Sequence, residues 1–353
     1  MLPTNKPYII GETAFHHEGD IQFLKELINT GGNIGVDAMK FHLTIDLDDY
    51  MIANHEAIDV LRPWCLNAQD WSEVLDYLKQ KNIDTILLCN DVASLDWVLN
   101  TDFNVKAIEL HATGLNDYFL LEKAAIFKGT VILGTGGSTL DEIEFAIDFL
   151  KSKGQEDVFL MHGFQNYPTD FKDINLSKMK VLQEIFNLPI GYADHTDPQD
   201  EDNECISVLA AAMGFNVLEK HFTHQFGKKR IDAQSAVSVD QMVKIKRLLT
   251  KTLSAYGFED IRMSDAEKKY GNTGPMKKAI VARKNIAKGE QLSIEHIAFK
   301  RTNESTYIKQ MMMPKLIGLE VAEDIEKDQI IDFSKVNYLY KKADILQFEN
   351  TNE

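Results

Sequence analysis

The chain has 353 residues, with 38 Lys and Arg against 54 Asp and Glu, a formal net charge of −16, and 44% hydrophobic residues. That is enough length for two domains and ample material for a buried core, while the negative field disfavours nucleic acid and anionic membrane surfaces as partners. Three cysteines without C-x-x-C spacing (Cys65, Cys89, Cys205), no apolar secretory core at the start, and no run near about 18 apolar residues point to a cytoplasmic protein with free thiols.

Along the chain, short apolar runs alternate with helical patterns, the signature of βα units around a parallel sheet. Strands are predicted near Tyr8–Glu12, Val36–Phe41, Thr85–Cys89, Lys106–Leu110, Val131–Leu133, Val158–His162, Ile190–Asp194 and Val217–His221. Apolar residues at helical spacing lie between them, as in Ile21–Ile28, Trp71–Leu78, Leu140–Leu150, Met179–Phe186, Ile206–Met213 and the closing Val239–Tyr256. Eight such units favour a closed (β/α)₈ TIM barrel over residues 1–258. The first strand is not followed by G-x-G-x-x-G, which disfavours a dinucleotide-binding sheet. A polar stretch, 259–275, reads as a linker. Residues 276–340 read as a small β-rich module in which Ile286-Ala287-Lys288-Gly289-Glu290 is echoed by Ile325-Glu326-Lys327-Asp328-Gln329, a sign of pseudo-symmetric strands. Residues 341–353 read as a polar tail.

In a (β/α)₈ barrel the C-terminal strand ends converge on one mouth. Of ten histidines, His16, His17, His42, His111, His162, His195, His221 and His224 fall at or just after such ends, and only His55 and His296 lie elsewhere. His195 and His221 belong to neighbouring final strands, so their backbones lie about 5 Å apart and both imidazoles can hold one divalent cation. The plainer alternative is that each is a hydrogen-bonded core histidine. Glu12 ends the first strand, where a carboxylate is costly without a partner; it fits either an acid/base group or a salt bridge to Lys40 or Lys220. Lys40 fits an anion-holding point charge. The turn Gly134-Thr135-Gly136-Gly137-Ser138 fits an anion cradle or a simple tight turn.

At these residues the chain resembles the sialic acid synthase (N-acetylneuraminate synthase) family. The likeness is carried by Ile9-Ile10-Gly11-Glu12, Asp37-Ala38-Met39-Lys40-Phe41, Asn166-Tyr167-Pro168-Thr169, Gly191-Tyr192-Ala193-Asp194-His195-Thr196, Glu219-Lys220-His221-Phe222-Thr223, Asp232 with Ser235, and Lys300-Arg301. The resemblance implies condensation of phosphoenolpyruvate with an N-acylated hexosamine such as N-acetylmannosamine. It further implies a divalent metal (Mn²⁺ or Mg²⁺) on His195 and His221 and catalysis by Glu12, His195 and His221. Lys40, Thr135, Gln165, Asn166, Asp194, Glu219, Asp232 and Arg301 would contact substrate. The C-terminal module is similar to the antifreeze-like (SAF) domain, which in the family caps a partner's active site in a domain-exchanged homodimer.

The chain also departs from the family pattern. Ala193 stands where the family has a serine, Gly134 replaces another, and Gly163-Phe164-Gln165 replaces a Cys-Thr-Ser run. Glu109-Leu110-His111-Ala112 stands for Lys-Ile-x-Ser, His42 for a glutamine, Ile45 for a lysine, and Ala233 for a histidine. Most of these positions contact phosphoenolpyruvate in the family, and each charge-assisted bond lost is worth about 1.5–3 kcal/mol. Two alternatives therefore stand beside the synthase: a diverged metal-dependent barrel lyase or aldolase that does not use phosphoenolpyruvate, and a non-catalytic sugar-binding homologue.

Overall fold

The structure, a computed structural model, describes residues 1–163, 167–257, 261–270, 277–304, 306 and 308–338. Contacts divide the chain into two units, Met1–Gly257 and Phe258–Glu353.

The first unit is a closed barrel of eight parallel strands: β1 (Tyr8–Glu12), β2 (Ala38–Leu43), β3 (Asp84–Cys89), β4 (Val105–Leu110), β5 (Thr130–Gly134), β6 (Val158–His162), β7 (Ile190–Asp194) and β8 (Val217–Thr223). Neighbours pair in chain order and β1 pairs with β8 to close the ring, with Glu12 opposite both Lys40 and His221. A two-residue strand, β9 (Val237–Ser238), extends β8 outside the ring. Side chains alternate across each strand. Ile10, Ala38, Ile86, Ala107, Ile132, Phe159 and Val217 fill the barrel interior. Their neighbours Ile9, Met39, Leu87, Ile108, Val131, Val158 and Leu218 face the surrounding helices.

Several of the helices start where the sequence supplies caps. Asp20 accepts from Phe23 N at the head of Ile21–Ile34, Thr139 and Glu142 form a capping box on Leu140–Ser152, and Ser238 and Gln241 form one on Val239–Tyr256. One predicted helix fails: the 206–213 region is two single turns, Asn203–Ser207 and Leu209–Ala212, broken at Val208. Ser207 is the reason, since its hydroxyl bonds both Asn203 O and the buried Asp194 carboxylate. Strand β2 begins two residues later than expected, at Ala38, because Asp37 uses its carboxylate on Ile9 N. No helix among the described residues is long and apolar enough to cross a membrane.

The second unit holds a helix, Asp265–Tyr270, inside the stretch expected to be a linker, and an antiparallel pair, β10 (Lys278–Ala282) with β11 (Ile297–Arg301). The repeated wording is realised as local pseudo-symmetry. Ile286 and Ile325 exchange backbone hydrogen bonds, Lys288 N donates to Asp324 Oδ1, and Lys327 N donates to Asn285 Oδ1. Glu290 and Gln329 each close their own turn onto a backbone N–H three residues earlier. The equivalent Gly289 and Asp328 both take positive φ, 88° and 72°, where glycine is at ease and aspartate tolerated. Around this frame pack Ile280, Ile286, Leu316, Val321, Ile325 and Ile331. The tail, 341–353, lies outside the described residues.

Candidate active site

The inward positions of the barrel strands change character toward their C-terminal ends. Above the apolar floor, two residues further along each strand, come Glu12 after Ile10, Lys40 after Ala38, Glu109 after Ala107 and Glu219 after Val217. Two residues beyond these come His42, His111 and His221, and His195 follows Ala193 in the same way. The period of two thus builds a charged layer under an imidazole layer. All eight side chains line one pocket, together with Tyr167 and the small residues Ala112, Gly134, Gly136, Gly163 and Ala193.

Lys40 is the hub of the charged layer. Its Nζ lies 2.7 Å from Glu12 Oε2, 2.8 Å from Glu109 Oε2 and 2.7 Å from Glu219 Oε1, all four residues being buried. Burial opposes the Lys40 charge, but the Glu109 and Glu219 carboxylates outweigh it and hold the ammonium above its usual range. Burial lifts the Glu109 carboxyl to about 7 against the pull of Lys40, with the Glu219 charge adding to the rise. Glu12 completes its second oxygen by accepting from Ala14 N at 2.7 Å. The salt-bridge alternative raised for Glu12 is therefore realised, with Lys40, while the carboxylate still lines the pocket.

In the imidazole layer, His195 and His221 stand with ring centroids 5.1 Å apart and planes inclined at 55°, and Tyr167 sits edge-on to both at 5.1 and 6.0 Å. His42 and His111 form a second pair at 6.5 Å. Burial first, then neighbouring positive charge, holds His221 and His42 well below the usual imidazole range. Burial likewise lowers His195 to about 3, against the pull of Asp194. These rings are neutral at pH 7, the form that ligates metal. His195 Nδ1 is buried without a hydrogen-bond partner, a cost that a bound cation would relieve, and Glu219 Oε2 is likewise unpartnered. Among the described residues no group of three or more His, Cys, Asp or Glu is placed to hold a metal. The pair therefore fits a divalent ion only with water or substrate oxygens completing its shell.

Several expected site residues have other places. Asp194 is turned into the wall: Oδ1 accepts from Tyr192 OH and Thr196 N, and Oδ2 from Ser207 Oγ and Lys220 Nζ, which leaves it no capacity for substrate. Thr135 is buried and donates to Met161 O, while its neighbours Gly134 and Gly136 face the pocket. Asp232, at a positive φ of 63°, is buried and accepts from Phe15 N; burial lifts its carboxyl to about 6. Gln165 and Asn166 lie outside the described residues. Arg301 belongs to β11 of the second unit, opposite Lys278.

The rim histidines divide by strand alternation. His162 follows the inward Met161, so it points outward and bonds Ile174 O. His16 bonds Ile231 O and Thr223, His17 packs on Trp71, and His224 meets Glu26. Only four of the eight thus reach the pocket. Conversely, Glu109, His42, His111 and Tyr167 line the pocket, Glu109 and Tyr167 with no role assigned from the sequence and the two histidines expected only as part of the rim. The signal that finds the first three is the paired i, i+2 wording Lys40/His42, Glu109/His111, Glu219/His221 on successive inward positions.

Comparison with known proteins places this geometry. An uncharacterized protein of Methanocaldococcus jannaschii, MJ1065, is 33% identical over 92% of this chain and 93% of its own length. The N,N'-diacetyllegionaminic acid synthase of Campylobacter jejuni is 27% identical over 92% of this chain and 99% of its own. The solved structure of the N-acetylneuraminic acid synthetase of Leptospira borgpetersenii superposes with a TM-score of 0.69 at 25% identity, covering 75% of this chain and 90% of that one. A putative spore coat polysaccharide biosynthesis protein E from Chromobacterium violaceum shares the fold at a TM-score of 0.80, 21% identity, 94% of this chain and all (100%) of that one. The SAF domain pattern matches residues 277–337. With the NeuB family pattern matching residues 27–260, the chain belongs to the NeuB family.

Proposed function

We propose that the barrel mouth makes or breaks a carbon–carbon bond between a three-carbon acid of pyruvate oxidation state and the open-chain aldehyde of an N-acylated hexosamine such as N-acetylmannosamine. Phosphoenolpyruvate is the three-carbon donor that the family resemblance implies, and pyruvate is the alternative. The observation that carries this reading is the pair of neutral imidazoles, His195 and His221, 5.1 Å apart above the Glu12–Lys40 ion pair.

His195 and His221 would hold a divalent ion, Mn²⁺ or Mg²⁺, which when bound supplies a Lewis acid for the aldehyde oxygen. The chain's own residues do the rest. Glu12, anchored on Ala14 N and Lys40, presents a fixed carboxylate to sugar hydroxyls. Lys40 keeps Glu12, Glu109 and Glu219 gathered around one point. Tyr167, whose phenol is held neutral by burial and by the Asp232 and Glu219 charges, closes the side of the imidazole pair. Buried rings and carboxylates exclude water from the reacting carbons. In the homodimer that the family reading implies, Arg301 would reach the sugar from a partner copy.

The test is mass spectrometry of mixtures of protein, Mn²⁺, N-acetylmannosamine and either donor, with N-acetylneuraminate supplied for the reverse direction. A 2-oxo-3-deoxy acid adduct, or cleavage of N-acetylneuraminate, is expected, and both fall at least a hundredfold in His195→Ala. Absence of adduct and of cleavage with either donor across a panel of N-acylated hexosamines refutes the proposal.

A further inference from the structure

A second cleft, of about 590 Å³, opens on the same face of the barrel as the mouth, among segments that follow β1, β2, β7 and β8. Trp64, Pro198 and Phe226 give it apolar surface, and Lys228 and Lys229 give it charge. Two contacts tie it to the mouth. Asp232 is buried, its chain neighbours Ile231 and Ala233 line the cleft, and its charge acts on Tyr167, which lines the mouth. Phe15 makes the second link, with its ring 6.3 Å from Trp64 of the cleft and 5.7 Å from His42 of the mouth. A substrate held in the mouth by one end therefore has the cleft beside its other end.

The three consecutive cations of the loop after β8 have different situations. Arg230 is engaged within the fold: its guanidinium lies 3.6 Å from Glu18 Oε2, donates to His16 O and His17 O at 3.4 Å, and covers the Phe23 ring at 4.0 Å. Glu18 also accepts from Ile231 N, so its carboxylate is occupied and the loop is braced beside Arg230. Lys228 and Lys229 are exposed, and among the described residues neither ammonium has an ion-pair or hydrogen-bond partner. In a chain with 54 acidic against 38 basic residues, two adjacent unpaired ammonium groups reverse the local field and favour an anion. A phosphate monoester brings about −1.5 to −2 charge near pH 7 and three acceptor oxygens, a match for two lysines acting as point charges.

We infer that the hexosamine taken by the mouth carries a phosphate at its far end, on carbon 6, and that Lys228 and Lys229 hold this phosphate in the cleft. The inference rests on the carbon–carbon reading above and adds the substrate class to it. Carbon 6 is the carbon most remote from the aldehyde, and its oxygen takes no part in the bond that forms, so an ester there leaves the chemistry untouched. With the aldehyde at the imidazole pair, the open chain passes Tyr167 and Asp232 and its last carbon is the one that leaves the mouth. Trp64 and Phe226 offer apolar ring faces to that end of the chain. The lysines then act on specificity and not on the reacting carbons.

The experiment compares N-acetylmannosamine 6-phosphate with N-acetylmannosamine, using full-length protein, Mn²⁺ and each three-carbon donor, and measures Tm with either sugar in the absence of a donor. The phosphorylated sugar is expected to show a kcat/KM higher by roughly tenfold or more, gained mainly in KM and shrinking as salt is raised. Lys228→Met/Lys229→Met cuts that advantage by roughly tenfold or more, and Lys228→Arg/Lys229→Arg keeps it. The phosphorylated sugar also raises the Tm of the wild type above the value with N-acetylmannosamine, and the methionine pair loses this extra rise. Equal kcat/KM for the two sugars, or a methionine pair that keeps the full advantage, overturns the phosphate assignment and leaves the carbon–carbon reading standing. No turnover of either sugar, with an extra Tm rise that the methionine pair loses, sinks the carbon–carbon reading and keeps the cleft as a phosphate site. Neither turnover nor an extra rise overturns both.

Discussion

Replacing Lys40 by methionine, close to it in volume, removes one charge and leaves three buried carboxylates facing one another. Breaking a buried pair by deleting one partner costs about 3–5 kcal/mol. The variant can limit the loss by taking up protons. At pH 7, protonating a carboxyl with an unfolded value of 4.5 costs roughly 3.4 kcal/mol, and Glu109, already near 7, needs less than Glu12 or Glu219. The expected loss is therefore about 3–7 kcal/mol at pH 7, a fall in Tm of roughly 6–28 °C for a unit of this size. At pH 5 the same protonation costs only about 0.7 kcal/mol per group, so the gap to the wild type shrinks by at least half. Urea titrations of both proteins at pH 5 and pH 7 measure this directly. A loss below about 1 kcal/mol at pH 7, or the same loss at both pH values, would mean the carboxylates are not held by Lys40 and would refute the reasoning.

Two further outcomes follow from the same electrostatics. The folded Glu109 is lifted from 4.5 to about 7, so its protonated form is favoured by folding; its stabilisation is full below pH 4.5 and is lost as the pH rises to 7. The difference corresponds to roughly 3 kcal/mol, and Glu109→Gln flattens the wild-type stability profile across that window, read by chemical denaturation at half-unit steps. Asp194→Ala leaves Lys220 buried without its 2.8 Å partner, lowers stability by about 3–5 kcal/mol, and weakens the Mn²⁺-induced rise in Tm by loosening the turn that carries His195. A full Mn²⁺-induced rise in a folded Asp194→Ala protein would show that the Asp194–Lys220 pair does not position His195.

The barrel is legible in the sequence because its signals are local and repeated. Eight apolar runs with helical spacing between most of them read alike from unit to unit, the 206–213 region excepted, and closure needs only that β1 meet β8. Placing side chains is harder, because it needs the phase of each strand as well as its position. The step from Met161 to His162 illustrates the point: Met161 lines the pocket, and His162, one residue on, bonds Ile174 O on the outer side. The Asp194-His195 step splits likewise, the carboxylate into the wall and the imidazole into the pocket. Counting in twos from the apolar floor recovers Glu109, which the sequence shows otherwise only as a departure from a family pattern, and singles out His111 among the eight rim histidines. Partner choice is beyond that count. Whether Glu12 meets Lys40 or Lys220 depends on Lys220 pointing instead at Asp194, a contact between β7 and β8 that no local pattern encodes.

The two buried ion clusters make the case that the charged layer is there for chemistry. Asp194 and Lys220 form a closed unit: the carboxylate accepts four hydrogen bonds, the ammonium also reaches Thr196, and neither lines the pocket. Such a unit fixes the turn that carries His195. Lys40 and its three carboxylates form an open one, with Glu219 Oε2 left without a partner and Glu109 Oε1 facing a glycine. Apolar residues of similar volume would hold the barrel at least as well, since desolvating charges offsets most of their attraction. Stability alone therefore requires neither cluster; they differ in that the first is closed on itself while the second opens onto the pocket. What the second provides is a set of oxygens held apart from water, beneath two neutral imidazoles, with one carboxyl close to its midpoint at pH 7, and those are the requirements of proton transfer next to a polarised carbonyl.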